Sequence, residues 1–324
     1  MEEIFIFLEN IKDERQEWKV VHKLSDIVFI VLTALLANAD DWQEIELFAK
    51  TNVGLLGRYV PLKNGIPSHD TMQRVMACIR PETLQRLNQL WNELLDEGDR
   101  EKLKKILCID GKTMRGNGNK NKEVWHVVSA WSKENGVCFG QKSANSKGKE
   151  IPMIEDLLNT ISVKNQIVTI DAIGTQSKIT EKAHGQIGIR EYFQTSDIKW
   201  LPDKEKWIGL KSIGMAKTVC KSKKGESIEV RYFISSLKPD AELFSRAVRG
   251  HWAVESMHWH LDVTFREDHN QTLEKNAAEN MNILRKWALS ILKSLELDKK
   301  YSLKKKRFAI GRNFSKFVDR LMNL

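Results

Sequence analysis

Cysteine is scarce in this chain and never closely spaced. The four present, Cys78, Cys108, Cys138 and Cys220, form no Cys-x-x-Cys element. They leave no basis for a zinc ribbon or a disulfide framework, and they fit a reducing compartment, the cytoplasm. Long apolar runs are lacking too. The longest, IVFIVLTALLANA at 27–39, falls short of the roughly 20 residues that a bilayer span needs, and it follows Asp26 rather than a basic stretch. It reads as a buried helix, with no export signal and no membrane partner. Internal repeats and low-complexity tracts are absent as well.

What is present is a globular composition. A chain of 324 residues with 41% hydrophobic residues and ten Trp can fill two domains, or one large core with appendages. The net charge of +9 is unevenly spread: residues 1–50 hold eleven acids against five Lys and Arg, a net −6, so the rest of the chain carries +15. Segments 111–149, 199–224 and 301–324 each contribute +6. A phosphate-rich partner is the natural complement, because each Lys or Arg set on a phosphate releases condensed counterions. A solvated basic face reads the same way in sequence.

The first hundred residues have helical periodicity. Leu84, Leu87, Trp91, Leu94 and Leu95 follow Pro81 at helical intervals, and Ser68 can cap a short helix bearing His69, Asp70, Gln73 and Arg74. That short helix suits packing better than a helix-turn-helix reading head. After the charged LDEGDREKLKK the period changes. ILCID (106–110), WHVVSAWS (125–132) and GVCFGQK (136–142) read as strands, with Asn135-Gly136 as a hairpin signal. A helix at EIPMIEDLLNTI and a strand at QIVTIDAIG come next, and further strands are expected at REYFQT and SIEVRYFISSL. From about 241 the pattern is helical again, ending in a basic tail. The order implies a mixed sheet covered by helices, an α/β class.

Two of these strands end alike, CID before Gly111 and TID before Ala172. Asp110 and Asp171 therefore stand where a sheet delivers side chains to its edge, and converging carboxylates need a cation; magnesium suits oxygen donors. A third acid is offered by RGHWAVESMHWHLDVTFREDHN (249–270), where His251, Glu255, His258 and Asp262 recur on one helical face. The spacing alone leaves two readings open. The face is either a zinc site or the carrier of one carboxylate that meets the acids from elsewhere.

ILCIDGKTMRG, WHVVSAW, IVTIDAIGTQ and VRGHWAVESMHWHLDVTFRED resemble the H-repeat-associated transposases, an insertion-sequence group of the DDE transposases, over nearly the whole chain. The resemblance implies a ribonuclease-H-like mixed sheet flanked by helices. Its two aspartates sit on adjacent strands and its glutamate on a helix, which selects Asp110, Asp171 and Glu255 as catalytic and metal-binding residues. Asp262 and Glu267 are the alternatives for the third acid. It further implies Mg²⁺, with Mn²⁺ as substitute, cleavage of double-stranded DNA at element ends followed by strand transfer, and a homo-oligomer acting on paired ends in the nucleoid. Three regions are expected: a helical N-terminal domain at 1–102, a shortened catalytic domain at 103–270, and a C-terminal helix with a basic tail at 271–324. Lys112, Arg115, His251, Trp252 and the KKKR run of Lys304, Lys305, Lys306 and Arg307 are the expected DNA contacts, with His258, Trp259 and His260 read as packing and hydrogen-bonding residues.

The chain also departs from that pattern. Members carry a strand like DYVLALKGNQ after the second aspartate and its helix, whereas here KITEK runs directly into AHGQIGIREY, and Asp171 and Glu255 lie only 84 positions apart. KGKEI, Gly188 and Ser256 stand where the group has KSNEI, an acid and Asn. An internal deletion is the expectation, with an unpaired sheet edge beside Asp171 and impaired catalysis unless REYFQT pairs there instead.

Overall fold

The computed structural model describes residues 8–9, 11, 13–95, 106–114, 125–134, 136–144, 150–161, 163, 166–170, 187–201, 204, 207–222, 225–297 and 300–322. The chain divides into two compact units. The larger comprises Met1–Val168 with Ala253–Leu324, and the smaller Thr169–Trp252.

The larger unit opens with helices. α1 (Leu24–Leu36) is apolar on every side, and its stretch Ile27–Leu32 is at most 2% exposed, as a helix must be when surrounded by others. Asn38 ends it in the left-handed region at φ 74°, the position after the cap where Gly or Asn is preferred. α2 (Trp42–Thr51) is capped by Asp41, which accepts from the Glu44 amide at 2.7 Å, and a short α3 (Val53–Leu56) follows. α4 (His69–Cys78) is capped by Ser68, and α5 (Pro81–Leu95) begins on proline, whose missing N–H costs nothing there.

The sheet comes next. β1 (Ile106–Met114), β2 (Trp125–Ser132) and β3 (Val137–Ala144) form an antiparallel meander, with Gly136 at φ 66° in the β2–β3 turn. α6 (Glu150–Thr160) then crosses to β4 (Ile167–Ile170), giving the order β3-β2-β1-β4. A meander followed by a helical crossover to the far side of β1 is the ribonuclease-H-like arrangement. The strand that runs into position 171 thus neighbours the strand that bears Asp110. Met153, Leu157 and Ile161 cover one face of this sheet, against Leu107, Ile109, Val128 and Ala130. Each fully buried Leu or Ile there contributes roughly 1.5–3 kcal/mol. Because strand side chains alternate, Asp110 and Lys112 belong to the opposite face.

The rest of the larger unit is helical: α8 (Lys275–Ser294), α9 (Leu303–Arg312) and α10 (Phe314–Met322). The expected basic tail is therefore two folded helices. α8 is buried from Ala277 to Leu292 and packs on α1, α4, α5, α9 and β3, so it joins the helical region to the sheet. Asn280 of α8 donates to the carbonyls of Met76 and Ile79, both at 2.8 Å, which docks α4 on it as a packing helix.

In the smaller unit β5 (Ile187–Thr195), β6 (Ser212–Ser222) and β7 (Gly225–Ser235) form an antiparallel sheet in that order. Sequence reading missed β6. Phe244, in the first turns of α7 (Ala241–Trp259), packs on this sheet with Tyr192 and Phe233 edge-on at 6.2 and 5.5 Å. Gly214 is required beneath it, since a Cβ there would lie 2.2 Å from the Phe244 ring. REYFQT is paired with β6 along its length, and β4 and β5 belong to separate sheets, so among the described residues it does not pair at the edge of β4 as the alternative expectation had it. Among the described residues β4 is an edge strand.

Candidate active site

Asp110 lies on β1 at the register of Ser129 on β2, which in turn stands opposite Gln141 on β3. One Asp110 oxygen accepts from the Gly111 amide at 2.8 Å. The other is 3.3 Å from Nδ1 of His258 on α7, whose side chain is 14% exposed against 23% for the aspartate. Gly111 leaves room for two side chains rather than for a turn. A Cβ there would come within 2.0 Å of Glu150 Oε1 and 2.5 Å of His126 Nε2 on the opposite face.

Two residues on, Lys112 holds a second contact to the same stretch. Its Nζ donates to Asp262, and to Glu267 at 2.8 Å, while Asn282 donates to the other Glu267 oxygen at 2.7 Å. Burial works against charge on Lys112, but Glu267 and Asp262 outweigh it and hold the amine above its usual pKa. Glu267 is fully buried, and despite that burial Lys112 and Arg285 hold it below the usual carboxylate range. Burial leaves Asp262 raised even beside Lys112. The backbone accommodates these contacts by widening: α7 runs into a π turn over His260–Thr264, and Arg266 takes φ 49° before a 3₁₀ turn at Glu267–His269.

Behind Asp110 the polar row continues inward. Lys286 of α8 donates to Ser129 Oγ and Gln141 Oε1, both at 2.6 Å, and burial lowers its pKa. A further buried cluster joins the first helices to the last. Arg307 donates to Asp40 Oδ1 at 2.6 Å, to the Leu35 carbonyl at 2.9 Å through Nε, and to the Thr264 carbonyl. Arg266 adds contacts to Asp40 at 2.9 Å and Glu44 at 2.5 Å.

The residues expected from sequence are dispersed. Glu255 is exposed on α7, one turn before His258. His251 and Thr169 share a hydrogen bond of 3.0 Å, and Trp252 lies under Arg231 at 5.6 Å, both within the smaller unit. Asp171 and Arg115 lie outside the described residues. Lys112, expected on phosphate, is only 11% exposed and engaged by two carboxylates. Of the KKKR run, Lys304 and Lys305 are exposed, but Lys306 donates to the carbonyls of Leu292 and Leu295 at 2.7 and 2.5 Å, and Arg307 is fully buried. The last two are corrections: they close the end of α8 and the Asp40 cluster. Among the described residues no group of three His, Cys, Asp or Glu side chains is assembled to hold a metal.

Sequence reading gave His258 a packing and hydrogen-bonding part but not its partner Asp110, and it missed the partners of Lys112. A signal existed for the first, since His258 shares the helical face of Glu255 three positions away.

Comparison with known proteins places the chain. The family model described as Transposase DDE domain matches residues 101–291, and the model described as DDE_Tnp_1-associated matches residues 5–92. YncI of Escherichia coli O157:H7, which bears a transposase name, is 35% identical over 95% of this chain and 91% of its own. YhhI of Escherichia coli strain K12, named as H repeat-associated, is 33% identical over 94% of each. A piggyBac transposase synaptic complex with hairpin DNA is similar at a TM-score of 0.39 and 14% identity, over 99% of this chain and 80% of that one, a likeness too slight to decide anything. With its sheet, its flanking helices and its four motifs in the order that the matched models span, the chain belongs to the DDE transposases, in the H repeat-associated group.

Proposed function

We propose that the protein cleaves DNA at the ends of an insertion sequence and joins the freed 3′ ends to a target, with Asp110, Asp171 and Glu255 as its catalytic carboxylates. The observation that carries this reading is the placement of Asp110: it stands on β1, next to the strand that leads into Asp171, and in contact with His258 one turn from Glu255. Mg²⁺ or Mn²⁺ fits the donor chemistry, because the three candidate ligands are all carboxylates. When bound, such a cation supplies positive charge to the attacking and leaving oxygens of phosphodiester displacement. The chain's own part is to hold Asp110 in one orientation and to keep Glu255 on a helix tied to the same strand. Exposed Lys304 and Lys305 track the phosphate backbone of duplex DNA without reading sequence, and paired ends call for a homo-oligomer.

A second reading, an inactive DNA-binding remnant, is favoured by two observations. The alignment with YncI runs over 360 positions, more than the 324 residues of this chain, so it includes positions at which this chain has none. REYFQT, the segment that was to fill a vacated edge beside β4, is committed to β6.

Strand cleavage at cognate ends, measured for the chain, for Asp171→Ala and for a version carrying a DYVLALKGNQ-like segment, separates the two. Magnesium-dependent cleavage that Asp171→Ala reduces by a factor of 10² or more, on the order expected when reacting geometry is lost, supports the transposase. Equal background from the chain and from Asp171→Ala, with gain in the restored version, establishes the remnant.

A further inference from the structure

We infer that His258 is a positioning residue for Asp110, one rung of a two-rung clamp whose other rung is Lys112 with Asp262. The inference rests on the carboxylate site proposed above and names what sets its geometry. On the strand, Asp110 and Lys112 are two residues apart on one face, a step of about 6.7 Å. On the helix and its π turn, His258 and Asp262 are four apart on one face, a step of about 6 Å. The near match lets a single strand face and a single helix face join twice: Asp110 to His258 at 3.3 Å, and Lys112 to Asp262. Glu255 shares that helix face, so the clamp ties the turn bearing the third carboxylate to the strand bearing the first.

The ring's chemistry agrees. An ionised carboxylate only accepts, so the His258 proton in this contact is on Nδ1. Nε2 is buried and has no hydrogen-bond partner among the described residues, so the contact to Asp110 is the polar interaction that orients the ring. A donor beside a ligating carboxylate fixes its orientation toward a cation, and losing such a partner typically costs about 10–100-fold in metal affinity. Lys112 anchors the other rung from within the core, since its second partner Glu267 is buried and also held by Asn282.

The test is Mn²⁺ binding by the full chain, followed by electron paramagnetic resonance, with thermal melting as the measure of folding. The variants are His258→Phe, His258→Asn, His258→Gln and Asp110→Asn. Asn presents its amide N–H near the Nδ1 position, whereas Gln presents it near Nε2. Expected is a loss of about 10–100-fold in Mn²⁺ affinity for His258→Phe and recovery to within about threefold of the parent for His258→Asn but not for His258→Gln. If His258→Phe fails to melt cooperatively, the Asn and Gln pair decides, and equal affinity in those two overturns the inference. Unchanged affinity in His258→Phe, with binding lost in Asp110→Asn, overturns the inference and leaves the carboxylate site standing. Unchanged affinity in Asp110→Asn overturns the site and the clamp together.

Discussion

The larger and smaller units treat charge and apolar surface in opposite ways. In the larger, Arg285, Arg307, Lys286 and Glu267 are all at most 2% exposed, each held by named partners. In the smaller, β7 leaves Ile228, Tyr232 and Ile234 at 61, 74 and 52% exposed, on a strand whose other side chains are no more than half-buried. A unit that buries ions depends on complete sets of partners, and losing one member leaves an uncompensated charge. A unit that exposes apolar side chains has little stability invested in them. Substitution should therefore be punished in the first and tolerated in the second.

The strongest way to break that contrast is at Arg307. Arg307→Met should cost about 3–5 kcal/mol in urea unfolding, because buried Asp40 loses its buried cation and keeps only the half-exposed Arg266, and the Leu35 and Thr264 carbonyls lose their donor. Lys304→Ala with Lys305→Ala should stay within about 0.5 kcal/mol while lowering the slope of log K against log salt for duplex DNA by up to about 2. Equal destabilisation by both changes would remove the distinction within KKKR.

A weaker effect is expected at the exposed strand. Tyr232→Ser should shift stability by no more than about 0.5 kcal/mol, and native-state hydrogen exchange should show β7 amides opening at lower free energy than those of α8. Protection of β7 equal to that of α8 would mean the two units share one cooperative core.

The smallest effect sharpens the comparison at the surface of the larger unit. Glu46 accepts from Lys50 at 2.5 Å and from the His69 amide at 2.8 Å, and its pKa is lowered to about 2, with Lys50 the largest cause. The folded value lies below the ordinary one of 4.5, so its contribution to stability is complete above pH 4.5 and is lost as pH falls toward 2. Carboxyl ¹³C titration of the folded chain checks this, and a midpoint near 4.5 would contradict it.

Much of this was legible in the sequence, and the misses have physical causes. The meander, the crossover helix and β4 follow from strand-length apolar runs and from the change of period. β6 was hidden because Ser212–Ser222 mixes Lys, Gly and Thr with few large apolar residues, and its buried face carries the small Ser212, Gly214 and Ala216, with the Phe244 ring over Gly214. The KKKR run was misread because a block of like charge looks solvated. Helical spacing carried the correct answer: Leu303, Lys306, Arg307 and Ile310 fall on one face, and Arg307 and Ile310 of that face are buried. Arg285-Lys286 within NILRKWALS posed the same problem, since no sequence pattern tells a buried, partnered cation from a solvated one. Asp110 was singled out by an expected strand end, but β1 runs on to Met114 and Asp110 stands mid-strand opposite Ser129. The contact of His258 with Asp110 was not legible, because it depends on which strand the helix meets.

The pairing of Asp40 with Arg307 has a consequence in time. The two residues are 267 positions apart, so during synthesis the aspartate waits while the intervening chain is made. At about 5–20 residues per second that is roughly 13–53 s. Throughout, the first helices have surface meant for burial and an acid that lacks its buried cation, and its other partner, Arg266, arrives only 226 positions on. The ribosome must deliver α9 before this part of the molecule can close, and a product terminated anywhere before residue 307 carries the defect permanently. Quality control that senses exposed, unpaired cores would read such products as unfinished, so α9 reports whether translation has passed residue 307.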